Sequence, residues 1–504
     1  MALLRRLAAL IPLAGTAVWL PAQTAPENPS AVENLTLHDA IQRALAKNYF
    51  IQTSSFDVSI ANAAVSEQLG IFDPKLTGSY NYSDSETPSL ADPLTGLRPP
   101  AYLDKNTSSS LGLGTLLPWG LSFSLTASST NDRNPLVTTA NNNYFNFAGI
   151  TGKQPLLRDF GFGATTAQIR IAMTNHSISE WQFRQTLIDT VTQVIFAYCD
   201  LNFAHAQLDS ALKSRELAAQ LVDENEKRYK VGSLSEYDVT SARARLASLD
   251  DGILQAKEFI HDSENALKAL ITDDRSTRLL RWHIGIEPLP LPPATVIDAE
   301  LDFREALKKR PDYQQALLTV KRNGIDSRYQ RNQLLPRLDL VGSYGYNGYD
   351  TSFDTSRQMV RNQDFHAFSY GAQVSIPLTF TTERARYRAA KLQLRKSETS
   401  LASLEQGIVV QVGNAADRIE TSRQRVEATR NARELGQKTL EAEVKRLRAG
   451  TGNTFFVVQQ QEVLSQLQII EANAVNDYQK ALAEYDRQLG LTLEKLNISI
   501  NVPK

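Results

Sequence analysis

Among the 504 residues, the side chains with the most reactive chemistry are six histidines, a single cysteine and two adjacent aspartate pairs. The histidines (His38, His176, His205, His261, His283 and His366) lack metal-ligand spacing such as His-Glu-x-x-His. Asp250-Asp251 and Asp273-Asp274 are neighbours that face different ways on a helix, so they read as solvated surface and not as an acid/base pair. Cys199 has no partner for a disulfide or a thiolate metal site, and beside an apolar stripe it reads as a buried, inert thiol. Gly161-Phe162-Gly163 precedes a helix, but the third glycine and the Lys-Ser/Thr pair of a phosphate loop are missing, which leaves a strand-to-helix swivel. No Ser/His/Asp arrangement or nucleophile elbow occurs. The expectation is a protein without catalytic residues, metal or cofactor, whose function resides in its long elements.

Those elements centre on Ala164 to Leu270. No proline occurs between Pro155 and Pro288, although the chain has 20. Leu187, Val191, Val194, Tyr198, Leu201, His205, Leu208 and Leu212 step by four and three in alternation, which is a helical stripe. From Ala164 to Lys230 a continuous helix would be on the order of 100 Å long. Glu180, Arg184, Asp189, Lys213, Arg215 and Glu216 interrupt it, so it is a coiled-coil-like rod and not a membrane span. Arg228-Tyr229-Lys230 places cations at its C-terminus, Gly232 supplies a left-handed C′ residue, and Ser235 with Asp238 forms a loose capping box for a returning helix that ends near Ile271. Pro377 to Pro503 is again free of internal proline, and Arg446-Leu447-Arg448-Ala449-Gly450 ends a second long helix.

The formal charge of −1 and the dispersed basic residues give no reason to expect nucleic acid. Met1 to Arg6 carries two arginines, Leu7 to Leu20 is apolar, and Pro21 to Ala25 is a small-residue region where cleavage fits. Residues 1–25 therefore read as a secretory signal peptide, with no cysteine after it for lipidation. No other stretch reaches the roughly 18 uninterrupted apolar residues of a membrane helix, so any membrane crossing must use strands.

In chain order, Leu35 to Gly70 reads as one helix, broken at Asp73-Pro74. Lys75 to Ser83 alternates (Leu76, Gly78, Tyr80, Tyr82) as a strand, and Ser85 to Asn106 reads as a polar loop. Ser109 to Leu116 and Leu121 to Ala127 form a hairpin around Pro118-Trp119-Gly120, an Asn-rich loop (Asn131 to Asn143) follows, and Tyr144 to Leu156 alternates again. The second half repeats this order. Glu305-Ala306-Leu307 corresponds to Asp39-Ala40-Ile41, Lys309-Arg310-Pro311 to Lys47-Asn48-Tyr49, and Pro336-Arg337-Leu338 to Pro74-Lys75-Leu76. Gly371 and Pro377 correspond to Gly149 and Pro155, and Gly450 to Gly232. The plan is a duplicated unit, 26–272 and 301–489, with a mixed segment 273–300 and a tail 490–504 that pack together outside the rods.

Strands of about ten alternating residues suit a transmembrane β-barrel. Four strands per chain, or six if the Trp119 hairpin joins them, cannot close alone, because barrels need about eight and an open edge is not tolerated in lipid. Several chains must pool strands and rods. Whether the Ser109–Ala127 hairpin enlarges the barrel or caps it is open at this point.

The signal peptide, the duplicated order, the tip sequences Arg228-Tyr-Lys-Val-Gly232 and Arg446-Leu-Arg-Ala-Gly450, and Tyr237-Asp-Val-Thr-Ser-Ala-Arg243 after the first tip together resemble the TolC family of outer-membrane efflux proteins. The resemblance covers nearly all of the mature chain, and its specificity lies in the duplicated order. It implies a mostly helical α+β fold and a homotrimer: a 12-stranded barrel in outer-membrane lipid continued by a periplasmic α-helical barrel. The partners it implies are a periplasmic adaptor and an inner-membrane pump, in a tripartite efflux or type I secretion system. Tyr229, Gly232, Ser233, Leu234 and Ser235, with Leu447, Gly450, Thr451, Gly452 and Asn453, would form the adaptor-facing rim. Gate candidates are Asp238, Phe455, Phe456 and Gln459. In the family pattern two aspartates follow the second tip. Their positions are Phe456 and Gln459 here, and the tyrosine before the tip glycine is Leu447, which cannot hydrogen-bond to Asp238. The rival reading, an exported coiled-coil spacer or adhesin without a pore, expects one unbroken heptad register and no symmetrically placed strands.

Overall fold

In the computed structural model the described residues are 33–499 except 89, 92, 99–100, 134–141 and 293–297. The signal segment, most of the Asn-rich loop, Pro293 and residues 500–504 lie outside them. The chain runs β1 (Glu33–Leu35), α1 (Leu37–Lys47), α2 (Tyr49–Leu69), β2 (Lys75–Thr87), β3 (Tyr102–Leu116), β4 (Ser122–Arg133), β5 (Asn143–Pro155), α3 (Gly161–Thr165), α4 (Ala167–Lys230) and α5 (Glu236–Ile271). It continues with β6 (Ile284–Ile286), α6 (Ala299–Lys309), α7 (Pro311–Asn332), β7 (Arg337–Asp350), α8 (Phe353–Asn362), β8 (Phe365–Ser375), α9 (Thr381–Arg448), α10 (Thr454–Leu489) and α11 (Thr492–Lys495).

The duplication is visible in element lengths. The helices α1 and α6 have 11 residues each, α2 and α7 have 21 and 22, α4 and α9 have 64 and 68, and α5 and α10 have 36 each. The expected single helix over 35–70 divides at Asn48, whose side chain accepts from the amides of Phe50 (2.8 Å) and Ile51 (3.4 Å) and so caps α2. In the second half Pro311 makes the same break at the first position of α7, where its missing N–H costs nothing. No helix among the described residues is long and apolar enough to cross a membrane.

One sheet contains six antiparallel strands in the order β2-β3-β4-β5-β7-β8. The hairpin β3–β4 therefore lies within the sheet. The strands, 11–15 residues long, exceed the expected ten. The ladder between β2 and β3 runs to Thr87↔Tyr102, so the two ends of the polar loop expected over 85–106, residues 85–87 and 102–106, are strand. Beyond the sheet's far end, α8 folds over β5 and β7, with the Ser356 hydroxyl donating to Tyr144 O at 3.1 Å.

The rods pack through the predicted stripe. Leu187, Val191, Val194, Tyr198 and Leu201 are buried against α1, α2, α5 and β6, whereas Leu212 is exposed, because the stripe turns out of the core as the rod leaves the waist. Each fully buried Val or Leu there contributes about 1.5–3 kcal/mol. Cys199 is buried, and desolvation pushes its thiol up to about 12, as befits an inert side chain. Leu493, Leu496 and Ile498 of the C-terminal segment pack with Trp282 and Ile284 in this same cluster. The parallel pair β1–β6 is pinned by Tyr198: its hydroxyl faces Leu35 O (3.0 Å) and Glu287 O (2.9 Å) and accepts from the Glu287 amide (3.1 Å). Tyr198→Phe should therefore lower unfolding stability by about 1–3 kcal/mol, since it orphans buried backbone groups. Denaturant unfolding followed by circular dichroism measures this, and an unchanged midpoint would show the hydroxyl to be dispensable.

Candidate functional site

Both long hairpins end in the same kind of turn, built from the same residue types. At the first, α4 stops at Lys230, and Gly232 adopts φ +79° with its amide donating to Tyr229 O (2.9 Å). The Ser233 amide and hydroxyl both donate to Arg228 O at 2.9 Å, closing the helix end. Ser235 then opens α5 with the predicted capping box: its amide donates to Asp238 Oδ2 (3.2 Å) and its hydroxyl accepts from the Asp238 amide (3.3 Å). At the second, Gly450 has φ +77°, the Thr451 and Gly452 amides donate to Arg446 O at 3.0 Å, and Asn453 caps α10 by accepting from the Phe455 amide (3.0 Å). A Cβ on Gly452 would lie 2.7 Å from Leu447 N, so this glycine is set by close approach and not by its φ.

The fold places the two turns side by side. Arg228 reaches across with Nη1 donating to Leu447 O at 3.1 Å, while its Nη2 pairs with Glu224 at 2.6 Å. Beneath the turns, Leu221, Leu440, Leu447, Val457 and Leu464 form a small apolar core of their own. Leu447 thus departs from the expected rim. Its side chain is 4% exposed, because it faces α4 and α10, and its carbonyl is the part that meets the other turn. Tyr229, Gly232, Ser233, Ser235, Gly450, Thr451 and Asn453 are exposed; Leu234 and Gly452 are half-buried. Cations crowd these ends: Lys227, Arg228 and Lys230 close α4, and Lys445, Arg446 and Arg448 close α9.

The gate candidates fall just behind the turns. Asp238 is engaged in its own capping box. Phe455 and Phe456 are about half exposed, with ring centroids 5.6 Å apart in an edge-to-face arrangement, and Gln459 is exposed on the same helix. The two phenyl rings are thus available to a neighbouring surface and are not packed inside the protomer.

One titratable cluster went unseen in the sequence. His261, Glu264 and His283 bring ligand atoms within 4.8 Å of one another at the waist, across a gap of 19 residues between Glu264 and His283. Glu264 is buried and already paired with Lys268 at 3.1 Å, with His283 Nδ1 at 3.4 Å. The ammonium occupies the charge that a cation would need, so the cluster ties α5 to the segment before β6. His205 keeps a buried Nε2 without a partner, and desolvation holds its pKa below the usual value, so it is a neutral imidazole on the stripe.

The cross-tip contact from Arg228 was also missed. The signal available was the repeat itself, an arginine four residues before each tip glycine. Arg228→Ala should free the second turn while leaving the fold intact: hydrogen exchange at the amides of 447–453 should accelerate severalfold, with global stability changed by less than about 1 kcal/mol. Unchanged exchange there would show that the turns are independent.

Both halves of the chain match the model of the outer membrane efflux protein family, over residues 40–272 and 303–491. No curated protein sequence matches significantly. Among solved structures the chain is similar to the outer-membrane channel OprN, at 17% identity and a TM-score of 0.66, over 93% of this chain and 94% of that one. It is similar to the Campylobacter jejuni CmeC outer membrane channel at 16% identity and a TM-score of 0.66, over 96% and 94% of the two chains. The open state of the Neisseria gonorrhoeae MtrE outer membrane channel aligns at 16% identity and a TM-score of 0.64, over 91% and 89%. At these identities the likeness to solved structures is one of fold, while the family match takes in both helix–strand–hairpin repeats. The chain belongs to the outer membrane efflux protein family.

Proposed function

We propose that three copies of this chain form an outer-membrane efflux channel, with the sheets pooled into a barrel in lipid and the rods pooled into a periplasmic helical cylinder. In this reading the turns at the far end meet a periplasmic adaptor, which links the channel to an inner-membrane pump. The observation that carries it is the polarity of the protomer: a sheet with two unpaired edges and an exposed apolar face at one end, and two small-residue turns at the other. Every residue of β2 and all but one of β8 are exposed, which leaves their backbone groups for a neighbouring copy to pair. An exported spacer has no use for such a sheet.

The exposed rim residues named above, with Leu447 acting from beneath, are the adaptor contacts in this proposal. Small residues let a partner's helical tip approach closely. Phe455 and Phe456 form an apolar constriction at the entrance, with Gln459 where family members carry an acidic ring.

Gly450→Leu should reduce export at least tenfold while the oligomer still assembles, and Gly450→Asn, which tolerates a left-handed backbone, should retain export. Export assays alongside native electrophoresis measure both, and loss of the oligomer in Gly450→Leu would remove the interface role. In planar bilayers the channel should show weak cation preference, and Gln459→Asp should strengthen it. A strong cation preference in the unaltered channel, read from reversal potentials, would contradict the apolar entrance.

A further inference from the structure

The hairpin β3–β4 sits between β2 and β5, so removing it in thought leaves β2 antiparallel to β5 and a four-stranded sheet that would still make sense. It is an insertion of two whole strands. Three copies of four strands give twelve; three copies of the sheet actually present give eighteen. The question is whether the inserted strands are wall or ornament, and the register answers it.

One row of cross-strand neighbours runs Leu76, Leu113, Leu125, Ile150, Tyr344 and Phe368, through all six strands without a break. Every one of these side chains is exposed in the protomer. The adjacent row, on the opposite face, runs Lys75, Gly114, Ser124, Thr151, Ser343 and Ser369, all polar or small. The inserted strands thus carry the same lipid-side and lumen-side alternation as the four that flank them. A hairpin folded outside the wall would have no reason to continue both rows in register, since a shift of one residue exchanges the faces.

The turn of the hairpin gives independent support. Pro118-Trp119-Gly120 lies at the helix end of the sheet, docked on the junction where β5 becomes the first rod. Trp119 O accepts from the Gly161 amide (3.2 Å), the Trp119 and Phe162 rings are 6.3 Å apart, and a Cβ on Gly120 (φ +98°) would lie 3.0 Å from Asp159 O. The neighbouring Thr115 hydroxyl donates to Phe72 O at 2.7 Å, tying β3 to the chain just before β2. The insertion is therefore fixed at both its strands and its turn.

We infer that this chain builds an eighteen-stranded outer-membrane barrel, with β3–β4 as a widening insert that sets the bore of the exit duct. This rests on the trimeric reading above. At equal strand tilt, going from twelve to eighteen strands widens a barrel ~1.5-fold, into the range where porins leave an open aqueous channel. The exit then admits cargo bulkier than a twelve-stranded duct passes, and the narrowest point of the path moves to the periplasmic tips.

The test is an electron-microscopy map of the detergent-extracted full-length protein, with strands counted in cross-section. Three copies and eighteen strands are expected. Three copies with twelve strands and the hairpin outside the wall would overturn the inference and leave the channel reading intact, whereas any assembly without a shared barrel would overturn both. A second variant lacking residues 88–142 joins β2 to β5 through residues 84–87 and sets Leu76 opposite Ile150. Its trimers should exclude polymers from the external side at a diameter ~1.5-fold smaller than the unaltered channel does, and an unchanged exclusion size would also overturn the inference.

Discussion

A β-sheet that faces lipid cannot end in a free edge, because no water is present to satisfy the row of N–H and C=O groups left there. In the proposed channel this one constraint organises the molecule. The six-stranded sheet has two such edges, β2 and β8, and six strands are too few to close on themselves. In that channel the edges are met by copies of the same sheet. Once the sheets are joined in a ring, the helices that continue from them are brought into a ring as well. The helical cylinder of the proposed channel is thus a consequence of barrel closure as much as of helix packing.

The helices satisfy the converse requirement. Their backbone groups bond internally, so rods of 64 and 68 residues can stand in water with only one side buried. What holds them is local: the stripe around Tyr198 at the waist, the cluster of Ile408, Val412, Ile419 and Tyr478 in the second hairpin, and a small core under the turns. Between these clusters the rods carry many charged residues on exposed faces. Stability concentrated at the waist and at the tip leaves the intervening surfaces and the turns free for the contacts that the proposed channel requires.

Much of this plan was legible in the sequence because its signals are local. The proline-free stretches marked the rods, the four-three stepping marked the waist core as far as Leu201, and Ser235 with Asp238 marked the start of α5. The duplication was readable because short matches such as Pro74-Lys75-Leu76 with Pro336-Arg337-Leu338, and Gly232 with Gly450, recur in the same order in both halves. The remainder depended on contacts between distant segments. Asn48 divides a helix that apolar spacing alone presented as continuous, since capping is a matter of one side chain turning back on two amides. Residues 85–87 and 102–106 read as loop because Ser, Asn, Asp and Lys sit on both faces there, yet the ladder continues, as strand pairing is set by the neighbouring backbone. The bond from Arg228 to Leu447 O and the inward turn of the Leu447 side chain follow from two turns meeting that lie 219 residues apart in sequence. No local pattern carries that information.

The shared barrel is the claim on which the rest depends, and its most direct test is the mass of the detergent-extracted protein from the outer-membrane fraction, by light scattering corrected for bound detergent. Three chains per particle are expected. A soluble monomer or dimer recovered from the periplasm would leave the sheet edges unpaired and the apolar row without lipid, and would contradict the channel.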